Sequence, residues 1–299
     1  MITLHKVAKK YGQVKAVTDV SFSLKTGKTT ALVGPNGAGK TSLLNMLSGL
    51  AAPDSGSIHY DTAKKDPRTQ LGFLPQYPAF HDWMTAEEFL QFAARLGKKS
   101  KKEARIRSSE LLELVGLADA SRKKIGGFSG GMKQRLGIAQ ALVHEPKLLL
   151  LDEPVSALDP IGRKEIMILL NELKERMTIL YSTHVLHDAQ LLCDDVLMMN
   201  KGKMILFDSL HHIYQQYDKP RMVITFEHSF MPWVADMRQR YSGWEIQIKG
   251  NEVEVIGSNL GDLRRILLDE ISRSDLPVRS ITFGTSTLEE VFHEVMHHE

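Results

Sequence analysis

The chain is 299 residues long, and its 38 Lys and Arg residues nearly balance its 36 Asp and Glu, for a formal net charge of +2. So even a balance supplies no overall field to draw nucleic acid or anionic lipid, and nucleic acid is not an expected partner. Cys193, the only cysteine, excludes an internal disulfide framework and fits a reducing compartment; residues 1–11 carry no secretory signal pattern, and no apolar run approaches the ~18–20 residues of a membrane span.

Any membrane role is therefore expected to be peripheral. Because single cores stop growing near ~250–300 residues, one main domain with a smaller appendage is the expectation. Residues 2–24 are rich in β-formers with apolar alternation and predict a small antiparallel sheet. A strand at 28–33 then runs into a glycine-rich turn and an apolar helix at 42–50. That turn, Gly34-Pro-Asn-Gly-Ala-Gly-Lys-Thr41, fits the phosphate-loop pattern and sits between a strand and a helix, as the chemistry requires. Backbone N–H groups of Asn36, Gly37, Ala38 and Gly39 are expected to turn inward around phosphate oxygens, helped by the positive end of the helix. Lys40 is expected to reach the β- and γ-phosphates, Thr41 to bind Mg²⁺ and Ser42 to touch the α-phosphate.

From about 85 to 127 the periodicity becomes helical, with Phe89, Phe92, Ala93 and Leu96 on one predicted face and Leu111, Leu112, Leu114 and Val115 on another. This reads as an inserted helical subdomain, and its basic run 98–102 as a solvated loop face. Strands return at 147–151, 178–182 and 196–200 between helices, which argues for a parallel sheet, with a further short strand at 204–207. The first of these, Leu148-Leu-Leu-Leu-Asp152-Glu153, is a buried strand ending in two carboxylates at the sheet edge where open α/β folds bind ligands. Asp152 is the expected Mg²⁺ partner and Glu153 the expected general base toward the water that attacks the γ-phosphate.

The pattern breaks near Asp218-Lys219-Pro220, which divides the chain into residues 1–218 and 219–299. Beyond it, strands at 221–227, 244–249, 252–256 and 278–283 and helices at 233–241 and 260–271 follow in the order βαββαβ, the signature of a ferredoxin-like α+β domain. A last helix opens with Thr287 and Glu290 spaced as a capping box.

The segment Phe128-Ser-Gly-Gly-Met-Lys-Gln134, followed by Asp152-Glu153-Pro154 and Ser156-Ala-Leu-Asp159, resembles the signature, Walker B and D-loop series of ABC ATPases. With the phosphate loop, the resemblance covers about the first two-thirds of the chain. It implies a P-loop NTPase core of the ABC type, with ATP and Mg²⁺ as ligands. It further implies that Tyr11 stacks on adenine, that Gln76 senses Mg²⁺ and the transport partner, and that His184 contacts the γ-phosphate. Ser129, Gly130 and Gly131 would bind the γ-phosphate held by the opposite subunit of a homodimer, and Asp159 would couple the two sites. The physical logic agrees, since Ser129-Gly130-Gly131 precedes a helix and offers an anion a second helix N-terminus. The tail Thr287-Leu-Glu-Glu-Val-Phe292 resembles the ending of ATPase subunits of drug and antibiotic exporters. The implied setting is a peripheral subunit on the cytoplasmic face of the cell membrane, beside a separate integral membrane permease.

Phe128 and Met132 depart from the usual Leu-Ser-Gly-Gly-Gln, and a thioether cannot donate the hydrogen bonds of an amide. His293-Glu-Val-Met-His297 matches a zinc-protease pattern, but no third ligand is evident and an exposed terminal helix is expected. Cys193, without an activating neighbour, is expected to serve packing. A soluble ABC ATPase of translation, repair or cofactor assembly is the alternative; such chains fuse two cassettes or insert long coiled coils, and neither feature occurs here. A non-hydrolysing regulator would have no need of Glu153.

Overall fold

The computed structural model describes residues 2–61, 66–156, 158–217, 219–228, 230–274, 276–284 and 286–297, apart from the side chain of His297. Ala157, Asp218 and that side chain, all part of motifs or boundaries read above, lie outside the described residues. The chain forms two compact units, Met1–Leu210 and His211–Glu299.

In the first unit, β1 (Ile2–Tyr11), β2 (Val14–Leu24) and β4 (Ser55–Tyr60) make an antiparallel sheet in the order β2-β1-β4. Its period-two pattern turns Val20, Phe22 and Leu24 inward. A second sheet has six strands, in the order β5 (Leu71–Leu74), β6 (Leu148–Leu151), β7 (Thr178–Thr183), β3 (Thr29–Val33), β8 (Asp195–Asn200), β9 (Lys203–Ser209). All its pairings are parallel except that of β9 with β8. Strands β3, β6 and β7 are buried along their whole length, and β6, Leu148–Leu151, reads as an unbroken apolar run rather than as alternation.

Leu32, Leu150 and Leu180 on these strands and Leu197 on β8 join Leu43 and Leu47 of α1 (Lys40–Leu47) in one core, each such side chain stabilising the fold by roughly 1.5–3 kcal/mol on burial. Helix α1 begins two residues ahead of the position expected from its apolar pattern, because Gly39, in the left-handed region at φ 103°, already serves as its N-cap.

The helical subdomain contains α2 (Ala86–Leu96) and α3 (Lys101–Leu114), each opened by a complete capping box, Thr85 with Glu88 and Ser100 with Glu103. The basic run thus straddles a helix start, and Lys99 pairs with Glu145 at 2.7 Å. The buried stripe of α2 is Ala86, Phe89, Leu90 and Ala94, whereas Phe92 and Leu96, expected on the inner face, are 44% and 70% exposed. Two overlapping stripes share Phe89 at helical spacing, and periodicity alone does not choose between them; α3 and α4 (Gly130–Leu142) pack on the one that starts at Ala86. Strands β4 and β5 escape the sequence reading, one because it is a largely exposed edge and the other because it is only four residues long. Helices α5 (Pro160–Leu173) and α6 (Leu186–Leu192) complete the sheet's crossovers.

The second unit takes in α7 (Leu210–Tyr217) from His211 and then runs β10 (Arg221–Phe226), α8 (Met231–Arg240), β11 (Glu245–Lys249), β12 (Glu252–Ile256), α9 (Leu260–Arg273), β13 (Val278–Gly284) and α10 (Leu288–His297). The strands lie in the order β11-β12-β10-β13, every adjacent pair antiparallel. Met222, Ile224, Phe226, Val253 and Val255 face Trp233, Met237, Leu263 and Leu267 of the helices in a separate core. The Thr287 capping box forms: Glu290 N–H donates to Thr287 Oγ1 at 3.3 Å, and Thr287 N–H donates to the Glu290 carboxylate at 2.9 Å.

Cys193, between α6 and β8, is buried, and burial pushes its thiol from the ordinary 9.0 up to about 12. The unfolded chain therefore releases this proton at lower pH than the folded one, and stability should decline as pH rises from the first value toward the second. Chemical denaturation across that alkaline window checks this: wild type is expected to lose more stability than Cys193→Ala, and equal slopes would remove the thiol as the cause.

Candidate functional site

At the carboxyl edge of the six-stranded sheet, three strand ends meet. Strand β3 delivers the glycine-rich loop, and close packing explains its composition. A Cβ on Gly34 would lie 2.3 Å from the Met199 carbonyl oxygen, and one on Gly39 would lie 2.2 Å from that of Ala16 on β2. The loop is thus pressed between β8 and the antiparallel sheet, where only glycine fits. Helix α1 has no side-chain cap, so its first N–H groups are left without a side-chain partner at the loop, the kind of helix start that can receive an anion. Ala38 is buried while Asn36 and Gly37 at the tip are exposed; Thr41 is exposed and Ser42 half-buried on the first turn.

Lys40 is 5% exposed, and its Nζ donates to the carbonyls of Gly34 at 2.8 Å and Pro35 at 3.1 Å. Burial lowers the pKa of this ammonium, and Glu153 and Asp152 partly offset the shift. Asp152 and Glu153 follow β6. The register pairs Leu151 with Tyr181, so the next residues, Asp152 and Ser182, sit side by side. Ser182 Oγ donates to Asp152 Oδ1 at 2.6 Å and accepts from Glu153 N–H at 2.8 Å. One hydroxyl thereby fixes both carboxylate residues. Glu153 itself has φ 47°, a left-handed conformation that disfavours a residue with a side chain by roughly 1–2 kcal/mol.

Three side chains converge on the Glu153 carboxylate. Lys40 Nζ lies 3.7 Å from Oε1, Gln76 Nε2 donates to Oε2 at 3.3 Å, and His184 Nδ1 lies 3.3 Å from Oε2. Gln76 comes from the segment after β5 and His184 from the end of β7, so four separate stretches of sequence meet at one buried acid.

Other expected residues stand elsewhere. Tyr11, 49% exposed, ends β1 opposite Val14, with the Lys9 ammonium 5.7 Å from its ring centroid. Ser129, Gly130, Gly131 and Asp159 line a groove of about 410 Å³ to which no phosphate-loop residue contributes. Ser129 is the N-cap of α4, its Oγ accepting from Met132 N–H at 3.3 Å, a bond of the main chain that the thioether does not affect. The Ser129 hydroxyl proton stays available to donate. Asp159 caps α5 by accepting from Gly162 N–H at 3.1 Å. Ser182 is the residue that sequence reasoning missed; a hydroxyl one step beyond the pairing of two buried strands, level with an acid, is the signal that could have found it.

The family profile described as ABC transporter matches residues 17–156. An uncharacterized ABC transporter ATP-binding protein of Bacillus subtilis, YxlF, is 44% identical over 299 residues, covering 99% of this chain and 100% of its own length. The chain belongs to the ABC transporter ATP-binding protein family. The bacitracin transport ATP-binding protein BcrA of Bacillus licheniformis is 37% identical, with 93% of this chain and 96% of its own covered. The linearmycin resistance ATP-binding protein LnrL of Bacillus subtilis is 39% identical over 213 residues, covering 69% and 68%. Among solved structures, the dimeric post-hydrolysis ATP-binding cassette MJ0796, bound to ADP and Pi, matches with a TM-score of 0.64 and 28% identity over 70% of this chain and 99% of its own. This ABC protein therefore binds and hydrolyses ATP as the ATP-binding subunit of a transport system.

Within this ABC ATPase, Ser182→Ala would leave Asp152 and the Glu153 N–H without their shared partner, at a cost of roughly 1–3 kcal/mol. Urea unfolding is expected to report that loss, together with a fall in ATPase rate; unchanged stability and rate would mean that Ser182 holds neither residue.

Proposed function

We propose that the chain is the ATP-driven motor of a bacterial exporter, working as a face-to-face homodimer on the cytoplasmic side of the membrane beside a separate integral membrane subunit. The observation that carries this reading is a division of labour within one chain. Lys40, Gln76 and His184 gather around Glu153, while Ser129, Gly130, Gly131 and Asp159 line another, exposed groove that is complete only if a second chain presents its phosphates there. Export of an antibiotic-class compound rests on the bacitracin and linearmycin relatives.

In this reading, the N–H groups of Asn36, Gly37, Ala38 and Gly39 and the Lys40 ammonium hold the β- and γ-phosphates of ATP. Ser42 reaches the α-phosphate, and Tyr11 stacks on the adenine. The Thr41 hydroxyl, Gln76 amide and Asp152 carboxylate supply the hard oxygen donors that suit Mg²⁺. When bound, that ion neutralises charge developing on the transferred phosphoryl group. The γ-phosphate competes with Glu153 for Lys40 and His184, so the substrate's arrival turns the carboxylate toward the attacking water. Glu153 then accepts its proton, a role typically worth ~10²–10⁴ in rate.

Ser129 and the first turn of α4 add a second helix N-terminus to the same γ-phosphate from the partner chain, with Asp159 coupling the two sites. ATP thus bridges two chains, and its hydrolysis releases them. For the membrane subunit, a connected aromatic patch is the docking face this reading favours: Trp83 is 70% exposed, and His81 links it to Phe92 through ring contacts at 5.9 and 6.3 Å. No described helix is long and apolar enough to cross a membrane, in keeping with a separate membrane partner. Residues 219–299 are read as a ferredoxin-like domain, supported by the strand order β11-β12-β10-β13 and the helices after β10 and β12.

Glu153→Gln is expected to bind ATP yet hydrolyse it slower by orders of magnitude, and to accumulate as a dimer on size-exclusion chromatography with ATP. Lys40→Ala is expected to lose ATP affinity instead. Near-normal turnover in Glu153→Gln would remove this residue from the base role.

A further inference from the structure

The opposite, amino-terminal end of the six-stranded sheet carries a cleft of about 560 Å³. Four cations line it, Lys28, Lys147, Lys174 and Arg176, against two carboxylates, Glu175 and Asp194. Asp194 is already engaged, since its Oδ2 accepts the Thr29 N–H at 2.8 Å and its Oδ1 lies 3.7 Å from Lys28 Nζ. Lys147, Lys174 and Arg176 make no ion pair among the described residues. In a chain whose formal net charge is only +2, this is a local concentration of positive charge, not a reflection of general basicity.

The cations stand on a pinned frame. Lys28 and Lys147 immediately precede β3 and β6, and their carbonyls accept the N–H groups of Ile179 and Thr178 at 3.1 Å each. Gly27 N–H donates to Thr178 Oγ1 at 2.9 Å, which ties the loop before β3 to the start of β7. On the last turn after α5, the Arg176 N–H donates to the Leu173 carbonyl at 3.0 Å, so Lys174 and Arg176 share a fixed turn. Such a frame limits the ordering that ligand binding would otherwise require.

We propose that this cleft binds a soluble, multivalent phosphate ligand at a site distinct from the ATP site. A guanidinium and several ammonium groups are the donors that recognise phosphate oxygens, the first as a planar fork and the others as point charges. Lys147, Lys174 and Arg176, offset only by Glu175, leave about two net positive charges, more than a monovalent anion would neutralise. The volume falls in the ~300–1,000 Å³ range of small-molecule sites, and a concave site of this kind suits a free ligand. Strand β3, roughly 16 Å long for its five residues, separates the cleft from the phosphate loop. One triphosphate held by Lys40 therefore does not also fill this cleft.

The test is calorimetric titration of tripolyphosphate into the full chain already saturated with ADP, so that the phosphate loop is occupied. One additional site per chain is expected, with affinity falling as salt is raised, and Lys147→Glu/Lys174→Glu/Arg176→Glu is expected to weaken it about tenfold or more. The same variant should keep the basal ATPase rate and the melting temperature of wild type; if it does not fold, Lys174→Glu alone should still weaken binding several-fold. No heat beyond dilution in the ADP-saturated protein, or undiminished binding in the folded variants, would overturn the proposal.

Discussion

A single buried contact organises the ATPase unit: the Lys40 ammonium, 5% exposed, lies 3.7 Å from the Glu153 carboxylate at the carboxyl edge of the parallel sheet. Neither charge is well placed without the other, because an isolated buried ion costs several kcal/mol. Their positions follow from strand ends that cannot shift independently. Strand β3 fixes the loop that carries Lys40, β6 ends in Asp152 and Glu153, and Ser182 on β7 bonds to both acids. The left-handed conformation of Glu153 is the local strain that this frame overcomes in order to aim its side chain at Lys40, Gln76 and His184.

The residues that the proposed reading assigns to the partner's ATP stand on different elements and line a separate groove. Helix starts at α4 and α5 carry Ser129 and Asp159, and each caps its own helix with its side chain. The Met132 departure from the usual signature matters little to that geometry, since the cap uses the residue's N–H rather than its side chain. A chain that keeps its phosphate loop and its signature groove apart has, in the proposed reading, a physical reason to pair. In that reading, each protomer's bound ATP supplies an anion to the Ser129 hydroxyl and the first turn of α4 in its partner.

Much of this was legible in the sequence because the motifs are tied to backbone geometry. Gly34 and Gly39 of the phosphate loop answer close approaches to Met199 and Ala16, and the run Leu148–Leu151 is apolar because the strand is buried on both faces. The second unit's element order was readable as well, since its strands alternate and its turns are marked. What failed to show was set by tertiary context. Which stripe of α2 turns inward depends on the helices beside it, and strands as short as β5 leave no periodic signal. Ser182 acquires its role only through the register of β6 with β7, which a linear sequence does not display. The basic cleft is similar: Lys28, Lys147 and Lys174 are unremarkable singly and separated in the chain, and the starts of β3 and β6 and the end of α5 bring them together.

In the proposed reading, every ATP site is assembled from the phosphate loop of one chain and the signature groove of another. Mixing two inactive variants, Lys40→Ala and Gly131→Asp, tests it most directly, because a mixed dimer contains one site in which both halves are intact. The account predicts that ATPase activity, absent in each variant alone, returns on mixing; isolated mixed dimers that stay inactive would contradict it.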